Sequence, residues 1–161
     1  NPKVHIDPIG FLMLFIVHFG WAKPVMINPR NFRNMRQGEI LVALAGPASN
    51  LVVAFFVVLF TILYNYFGLP TSEGFFMVMK LMGIINVNFA LFNIMPLPPL
   101  DGSRILMALL PGRWVYELLR LERYMFILII LLFVIGPLGS VLGAVSQRIL
   151  YGMQYFIVLF L

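Results

Sequence analysis

Long uncharged, apolar runs dominate this chain of 161 residues, and short connectors that hold most of its charge separate them. Residues 40–72 and 124–147 contain no charged side chain, and Leu81 to Leu100 is a third uncharged run of 20 residues. A helix that crosses a bilayer needs about 20 mostly apolar residues, so each run is long enough to span. The pattern therefore predicts a membrane protein built from helices.

The expected fold class is all-α, a polytopic transmembrane helix bundle that forms one membrane-embedded domain over residues 1–161. We predict one long helix over 40–67 and a second over about 75–95. A short connector that holds Glu73 and Lys80 is expected between them.

The C-terminal third is predicted to contain three elements. Residues 103–123 form a basic, partly amphipathic element. Tyr124 to Ile135 then begins an apolar helix, which Gly136-Pro137-Leu138-Gly139 interrupts, since proline disrupts a helix. A final apolar stretch runs over 149–161.

The N-terminal residues are less regular. Asp7-Pro8 is typical of an N-cap followed by proline at the first helical position. The apolar run from Ile9 to Phe19 is too short to span a bilayer, which indicates a partial or re-entrant helix. Residues 20–38 are rich in turn formers and contain a short extended stretch at Val25-Met26-Ile27.

Composition strengthens the membrane assignment. The chain is 61% hydrophobic and 11% charged, against about 25% charged residues in average soluble domains. It has no cysteine, which excludes disulfides and thiolate metal sites within these residues. The net charge of +5 is confined largely to connectors, a distribution that fits membrane topology and argues against nucleic acid as a partner.

Arginine placement predicts the orientation. The 20–39 connector and the 102–123 connector are both basic, and two predicted spans separate them, so they lie on the same side of the membrane. By the positive-inside rule that side is the cytoplasm, and the protein is a multi-pass protein of the cell membrane.

Asp101 is the residue whose position most strongly suggests chemistry. A carboxylate at the edge of a spanning segment is costly and marks a functional site by default. Each proline of Pro96, Pro98 and Pro99 lacks an N–H, so the backbone before Asp101 is predicted to be unwound and to border a polar cavity. A second interpretation stays open, in which Asp101 only caps a helix that begins near Gly102.

Other polar or small residues within the apolar runs also allow two interpretations. Asn93, with Asn86 and Asn88 on the preceding turns, could pair with amides or backbone of other helices, which is the favoured explanation for amides in lipid. The small-residue cluster around Gly46, Pro47 and Asn50 is favoured to permit close helix packing. That cluster also contains Ala43, Ala45, Ala48 and Ser49.

Histidine spacing gives no metal site of its own. His5 and His18 are the only histidines and are not spaced as a helical metal pair. The pair His5 and Asp7 beside Pro8 fits a local turn contact better than a ligand set. The residues alone contain no complete catalytic constellation, and no nucleophile-elbow, P-loop or dinucleotide motif is present.

Four strings, in this order, resemble one family, the bacterial site-2 proteases, which are zinc intramembrane metallopeptidases. The resemblance covers about residues 1–110, and the last string is the most specific. The strings are Asn1-Pro2-x-x-His5-Ile6-Asp7-Pro8-Ile9-Gly10; Gly20-Trp21-Ala22-Lys23-Pro24-Val25 with Asn28-Pro29-Arg30-Asn31-Phe32; Ala45-Gly46-Pro47-x-x-Asn50; and Asn93-x-x-Pro96-x-Pro98-Pro99-Leu100-Asp101-Gly102.

The resemblance implies hydrolysis of peptide bonds in membrane-spanning protein substrates, with Zn²⁺ as the cofactor. Two histidines of an H-E-x-x-H helix and the aspartate that corresponds to Asp101 would be the zinc ligands, and the motif glutamate the general base. Asn93 would position the substrate backbone or stabilise the developing oxyanion. Gly46, Pro47, Asn50, the three motif prolines and Gly102 would be structural residues near the site.

One departure from the family pattern is large, because H-E-x-x-H does not occur in these residues. In the family that helix precedes the N-P-x-x-H-I-D-P string, so we expect an N-terminally truncated sequence that is inactive alone and binds zinc weakly or not at all. The alternative is a noncatalytic membrane protein, such as a transport or scaffold subunit, that uses Asp101 for ion coupling. The substrate and the oligomeric state are not indicated by the sequence.

Overall fold

The computed structural model describes residues 7–9, 11–12, 32–70, 72–134 and 136–161. All regular secondary structure in these residues is helical, as predicted. Five long helices follow one another: α1 (Met35–Tyr66), α2 (Glu73–Asn93), α3 (Asp101–Leu109), α4 (Gly112–Val134) and α5 (Leu138–Leu159).

The described part of the N-terminal unit, residues 1–33, contains the predicted cap. Ile9 donates its backbone N–H to the Asp7 carboxylate at 2.9 Å, and Phe11 donates to the Asp7 carbonyl at 2.8 Å. These bonds confirm Asp7 as an N-cap with Pro8 in the first turn. Most of the predicted re-entrant helix over 9–19 and the extended stretch at 25–27 lie outside the described residues.

Helix α1 corresponds to the first predicted span, with an earlier start than expected. The Asn34 side chain caps the helix by accepting the backbone N–H of Gln37 at 3.4 Å, so the helix begins at Met35, five residues before the predicted start at 40. Gly68 ends it with φ of 62°, a left-handed conformation that favours glycine, and donates to the Asn65 carbonyl at 3.0 Å.

Helix α2 corrects the predicted connector. Ser72 caps α2 by accepting the Phe75 N–H at 3.2 Å, so Glu73 and Lys80 both lie in the helix. Glu73 occupies the first turn, where a carboxylate interacts favourably with the helix dipole. Glu73 and Lys80 therefore belong to about the first two turns of α2, and the prediction that they lie in a connector was wrong.

The C-terminal prediction was wrong in three respects. The element at 103–123 is two helices, because Leu110 takes an extended conformation before Pro111 and ends α3. Helix α4 runs unbroken through Tyr124, and α5 begins at Leu138 where the prediction placed the last element at 149. The predicted interruption at Gly136-Pro137 is confirmed, because α4 ends at Val134 and α5 begins at Leu138, which divides the uncharged run over 124–147 between two helices.

Contacts along α5 establish its direction. A Cβ on Gly83 would lie 3.3 Å from Leu150, and the rings of Phe55 and Phe156 are 6.5 Å apart. Leu142, near the start of α5, lines a cavity with Phe92 at the end of α2. Helix α5 therefore runs antiparallel to α2 and parallel to α1.

Two of the described helices, α1 and α2, are long and apolar enough to cross a membrane. An aromatic contact joins the end of α1 to the start of α2, with the rings of Tyr64 and Phe75 4.8 Å apart. Large apolar side chains such as Phe56, Met77 and Phe89 remain exposed on these two helices. Exposed apolar area of this extent on spanning-length helices fits contact with lipid.

Candidate functional site

The backbone between α2 and α3 is unwound, as the prolines predicted. Residues 94–100 form irregular turns in which Leu97 donates to the Met95 carbonyl at 2.8 Å and Leu100 to the Leu97 carbonyl at 2.9 Å. Pro98 is buried, Pro96 and Pro99 are exposed, and the bond between Pro98 and Pro99 is cis. The irregular segment ends at Leu100, so the next helix begins at Asp101.

Residue 102 must be a glycine because its Cα lies directly against the backbone of the segment 94–100. A Cβ at Gly102 would overlap the backbone carbonyl group of Ile94 and the carbonyl oxygen of Met95. The obstacle is backbone, which cannot rotate away as a side chain could. The glycine after Asp101 therefore lets the first turn of α3 pack directly on the last turn of α2.

Asp101 is the first residue of α3 and does not cap it. Leu100 occupies the N-cap position, and the helix has no side-chain cap hydrogen bond. The Ser103 hydroxyl instead donates to the Leu100 carbonyl at 2.7 Å. The capping interpretation of Asp101 is therefore wrong, although its carboxylate still lies in a first turn, where the helix dipole favours negative charge.

The Asp101 carboxylate is directed toward Gly46 of α1. A Cβ at Gly46 would lie 3.0 Å from Asp101 Oδ2. Asp101 is half-buried, and its carboxylate has no hydrogen bond or ion pair with any other described residue. An anionic oxygen in this setting is available as a ligand for a cation.

The small-residue cluster on α1 has two different faces. Ala43 and Pro47 are buried, as the packing interpretation predicted, and Gly46 makes room for Asp101. Ala45 and Ala48 are exposed.

Two further polar residues lie one turn beyond Gly46 on the same helix. Asn50 is half-buried, and the exposed Ser49 donates its hydroxyl to the Gly46 carbonyl at 2.7 Å. Pro47, which has no N–H to donate to the preceding turn, makes this the least regularly bonded part of α1.

The asparagines of α2 do not pair across helices in the described structure. Asn86 donates to the Met82 carbonyl of its own helix at 2.8 Å, and the buried Asn88 Oδ1 has no hydrogen-bond partner. Asn93 is the last residue of α2, half-buried, and its amide makes no hydrogen bond with another described residue. Its side chain is thus free to act on a bound molecule.

A cavity with both apolar and charged lining residues adjoins the unwound segment, where a polar cavity was predicted. It has a volume of about 290 Å³, and Pro98, Pro99 and the buried Ser103 form one wall. Glu39, Arg104 and Glu122 supply its charged groups, while Asp101 does not line it. Glu39 was not predicted as a residue of this site, because its place beside α3 depends on how α1 packs.

The described residues contain a candidate metal ligand, Asp101, but no complete metal site. No three His, Cys, Asp or Glu side chains approach one another in the described part of the chain closely enough to hold a metal ion. His5 and His18 lie outside the described residues, as does most of the string around Trp21. Asp101 by itself fits one ligand of a divalent cation such as zinc, which accepts carboxylate oxygen.

Comparison with known proteins identifies the family. Residues 68–136, which include Asn93 and Asp101, match peptidase family M50. The chain is also 38% identical over 144 residues to a protein of Bacillus subtilis (strain 168) named "Putative zinc metalloprotease YwhC". Both matches support the resemblance to peptidase family M50, the site-2 protease family.

The alignment covers 87% of this chain and 65% of the Bacillus protein, so this chain spans less than two thirds of that relative's length. No solved structure matches it. The resemblance drawn from the four strings is confirmed at the level of the family. The M50 match begins at Gly68, in the turn between α1 and α2, and ends at Gly136, after α4.

A change at Gly46 tests its contact with Asp101. Alanine at Gly46 places a methyl group 3.0 Å from Asp101 Oδ2, so the carboxylate must move by a few tenths of an ångström. Because alanine is the better helix former by about 1 kcal/mol, we expect the Gly46→Ala protein to be as stable as wild type. Any activity of the full-length protein that depends on the position of Asp101 should nevertheless fall roughly tenfold, since small misplacements of reacting groups are costly.

The control is Gly152→Ala in α5, where a Cβ meets no atom within 4 Å. Thermal unfolding and cleavage of a tagged substrate are measured on both variants. Equal activity of Gly46→Ala and Gly152→Ala would contradict the proposed importance of the Gly46 contact.

Proposed function

We propose that this chain is part of a zinc-dependent intramembrane endopeptidase that hydrolyses peptide bonds of membrane-spanning protein substrates. The observation that carries the proposal is the Asp101 carboxylate, unpaired among the described residues and held against Gly46 at the start of α3. The M50 family and the name of the Bacillus relative support metalloprotease chemistry. The test is cleavage of a tagged single-span substrate by the full-length protein and its Asp101→Asn variant, which we expect to be nearly inactive.

Asp101 is assigned as one zinc ligand in this proposal. A bound zinc ion supplies an activated water and polarises the carbonyl that is attacked. The ion also compensates a carboxylate that is otherwise unfavourable at the edge of the membrane. The irregular backbone at 94–100 and the glycine at 102 hold the carboxylate at the junction of α1, α2 and α3.

Asn93 is assigned a role in binding the substrate. An amide N–H can donate to the carbonyl oxygen of the scissile peptide, and this bond strengthens as negative charge develops on that oxygen. The half-buried, unpaired amide at the end of α2 supports this role, because no bond within the described protein must be broken first.

The remaining ligands are proposed to come from a segment outside these 161 residues. H-E-x-x-H is absent from the sequence, and the relative is longer than the region that this chain matches. The exposed Ala45 and Ala48 lie beside Gly46, and small residues let another helix approach closely in a membrane. We propose that the segment that carries the two histidines and the general base packs on this face of α1.

The orientation remains a prediction that can be tested by labelling. We expect the connectors at 20–39 and 102–123 to face the cytoplasm, because both are basic. Since these 161 residues contain no cysteine, single cysteines at Asn34 and Tyr116 report their positions without interference from the rest of this region. In whole cells an impermeant thiol reagent should label neither residue, whereas both should react after the membrane is opened.

A cysteine at Phe160 is the matched control for this experiment. Because α5 runs parallel to α1, which starts on the cytoplasmic side, Phe160 should be accessible from outside. Strong external labelling at Asn34 or Tyr116 contradicts the orientation, and a protected Phe160 contradicts the direction of α5 in the membrane.

A further inference from the structure

A groove with an apolar floor and several polar side chains lies between α1, α2 and α5, away from Asp101. Its volume is about 360 Å³. The apolar lining includes Val58, Phe76 and Leu150, and Gly83 lets α5 approach α2 at the base of the groove. Five polar side chains line it: Lys80, Gln147, Tyr151, Gln154, and Thr61, whose hydroxyl donates to the Val57 carbonyl of its own helix.

Lys80 is the unusual residue in this groove. Between Ile40 and Leu100 the only charged residues are Glu73 and Lys80, and Lys80 lies about two turns into α2, which is long enough to span a membrane. A charged side chain at such a position is expensive and usually has a partner. Among the described residues, no acidic side chain lines the groove and Lys80 forms no ion pair.

The polar side chains on α5 complement Lys80, because they too can donate hydrogen bonds to a group bound in the groove. Gln147, Tyr151 and Gln154 recur every three or four residues and therefore lie on one face of α5, which faces the groove. Amide N–H and phenol O–H groups donate hydrogen bonds, so together with the ammonium group they form a set of donors with a positive charge. Such a set binds an anion with several oxygen atoms.

We propose that this groove binds one anionic phospholipid, with the phosphate held by Lys80 and the α5 donors and an acyl chain along the apolar floor. The position fits, because a lysine side chain about two turns from the helix end can extend toward the headgroup level of the bilayer. The phosphate group of the lipid then supplies the negative charge that balances the Lys80 ammonium group. This site is separate from Asp101 and does not depend on the proteolytic function.

The test measures bound lipid on the full-length protein in detergent micelles by native mass spectrometry, with phosphatidylglycerol and phosphatidylcholine added in turn. We expect wild type to retain about one phosphatidylglycerol per chain and to bind phosphatidylcholine at least roughly tenfold more weakly, as expected for a charge-assisted contact. Lys80→Gln should lose this preference, and Lys80→Arg should keep it. Millimolar inorganic phosphate should not displace the lipid, because phosphate lacks the acyl chain.

Arg148→Gln is the matched control, since Arg148 is an exposed cation of α5 that does not line the groove. It removes the same charge and should bind phosphatidylglycerol as wild type does. Circular dichroism and gel filtration confirm that each variant is folded. Equal binding of both lipids to wild type, unchanged binding by Lys80→Gln, or no retained lipid because another protein segment fills the groove would each overturn the proposal.

Discussion

Replacing Asp101 with asparagine is expected to nearly abolish proteolysis by the full-length protein while leaving its insertion and fold intact. Asparagine keeps the size of the side chain and fits beside Gly46, but it lacks the anionic oxygen that binds a metal ion. We expect a loss of at least roughly a hundredfold, since even partners outside the ligand shell are worth 10–100-fold. The measurement is the initial rate of cleavage of a tagged single-span substrate.

Asn93→Ala is the comparison within the same assay. A donor to the developing oxyanion acts mainly in the transition state, so this variant should cleave more slowly, roughly tenfold to a hundredfold, and keep its zinc. Wild-type cleavage by Asp101→Asn contradicts the ligand assignment and favours a noncatalytic role of the carboxylate.

The second large effect is expected at Gly102, and it concerns stability. Any side chain there meets the backbone of Ile94 and Met95, so alanine must push α3 away from the end of α2. Overpacking of this kind typically costs about 1–3 kcal/mol, and more where rigid backbone is the obstacle. We expect Gly102→Ala to lower the unfolding temperature in detergent by roughly 10 °C and to reduce the yield of folded protein.

Gly112→Ala is the control for this change. Gly112 is the first residue of α4, and a Cβ there meets nothing within 4 Å. It should unfold at the wild-type temperature or slightly above it. A Gly102→Ala protein as stable as this control would show that the turn over 94–100 is looser than the structure indicates.

Local sequence signals were sufficient for the first two helices. Long apolar runs predicted α1 and α2 with ends within about five residues, because each run is bounded by capping or turn residues, Asn34 and Gly68 for α1 and Ser72 for α2. The prolines correctly predicted the unwound segment over 94–100. The C-terminal third was harder, since the break at Pro137 was predicted but the break at Pro111 was not, and residues 103–123 were interpreted as one element.

Tertiary contacts account for what the sequence did not reveal at the site. The approach of Gly46 to Asp101 joins residues far apart in the chain, and the small-residue cluster around Gly46 gave no sign of its partner. The capping interpretation of Asp101 failed because the helix begins one residue earlier than expected, with Leu100 at the cap. The role proposed for Lys80 could not be predicted from the sequence either. Its polar neighbours lie on α5, and the direction of α5 depends on how the helices pack.

Zinc content is the most direct test of the central claim that Asp101 is a metal ligand. Elemental analysis is made on the purified full-length protein and on its Asp101→Asn variant, both shown to be folded by circular dichroism. The account predicts about one zinc per chain for wild type, as for a catalytic site with three protein ligands, and a clear loss of zinc in the variant. Equal zinc in both proteins, or no zinc in wild type, would contradict it.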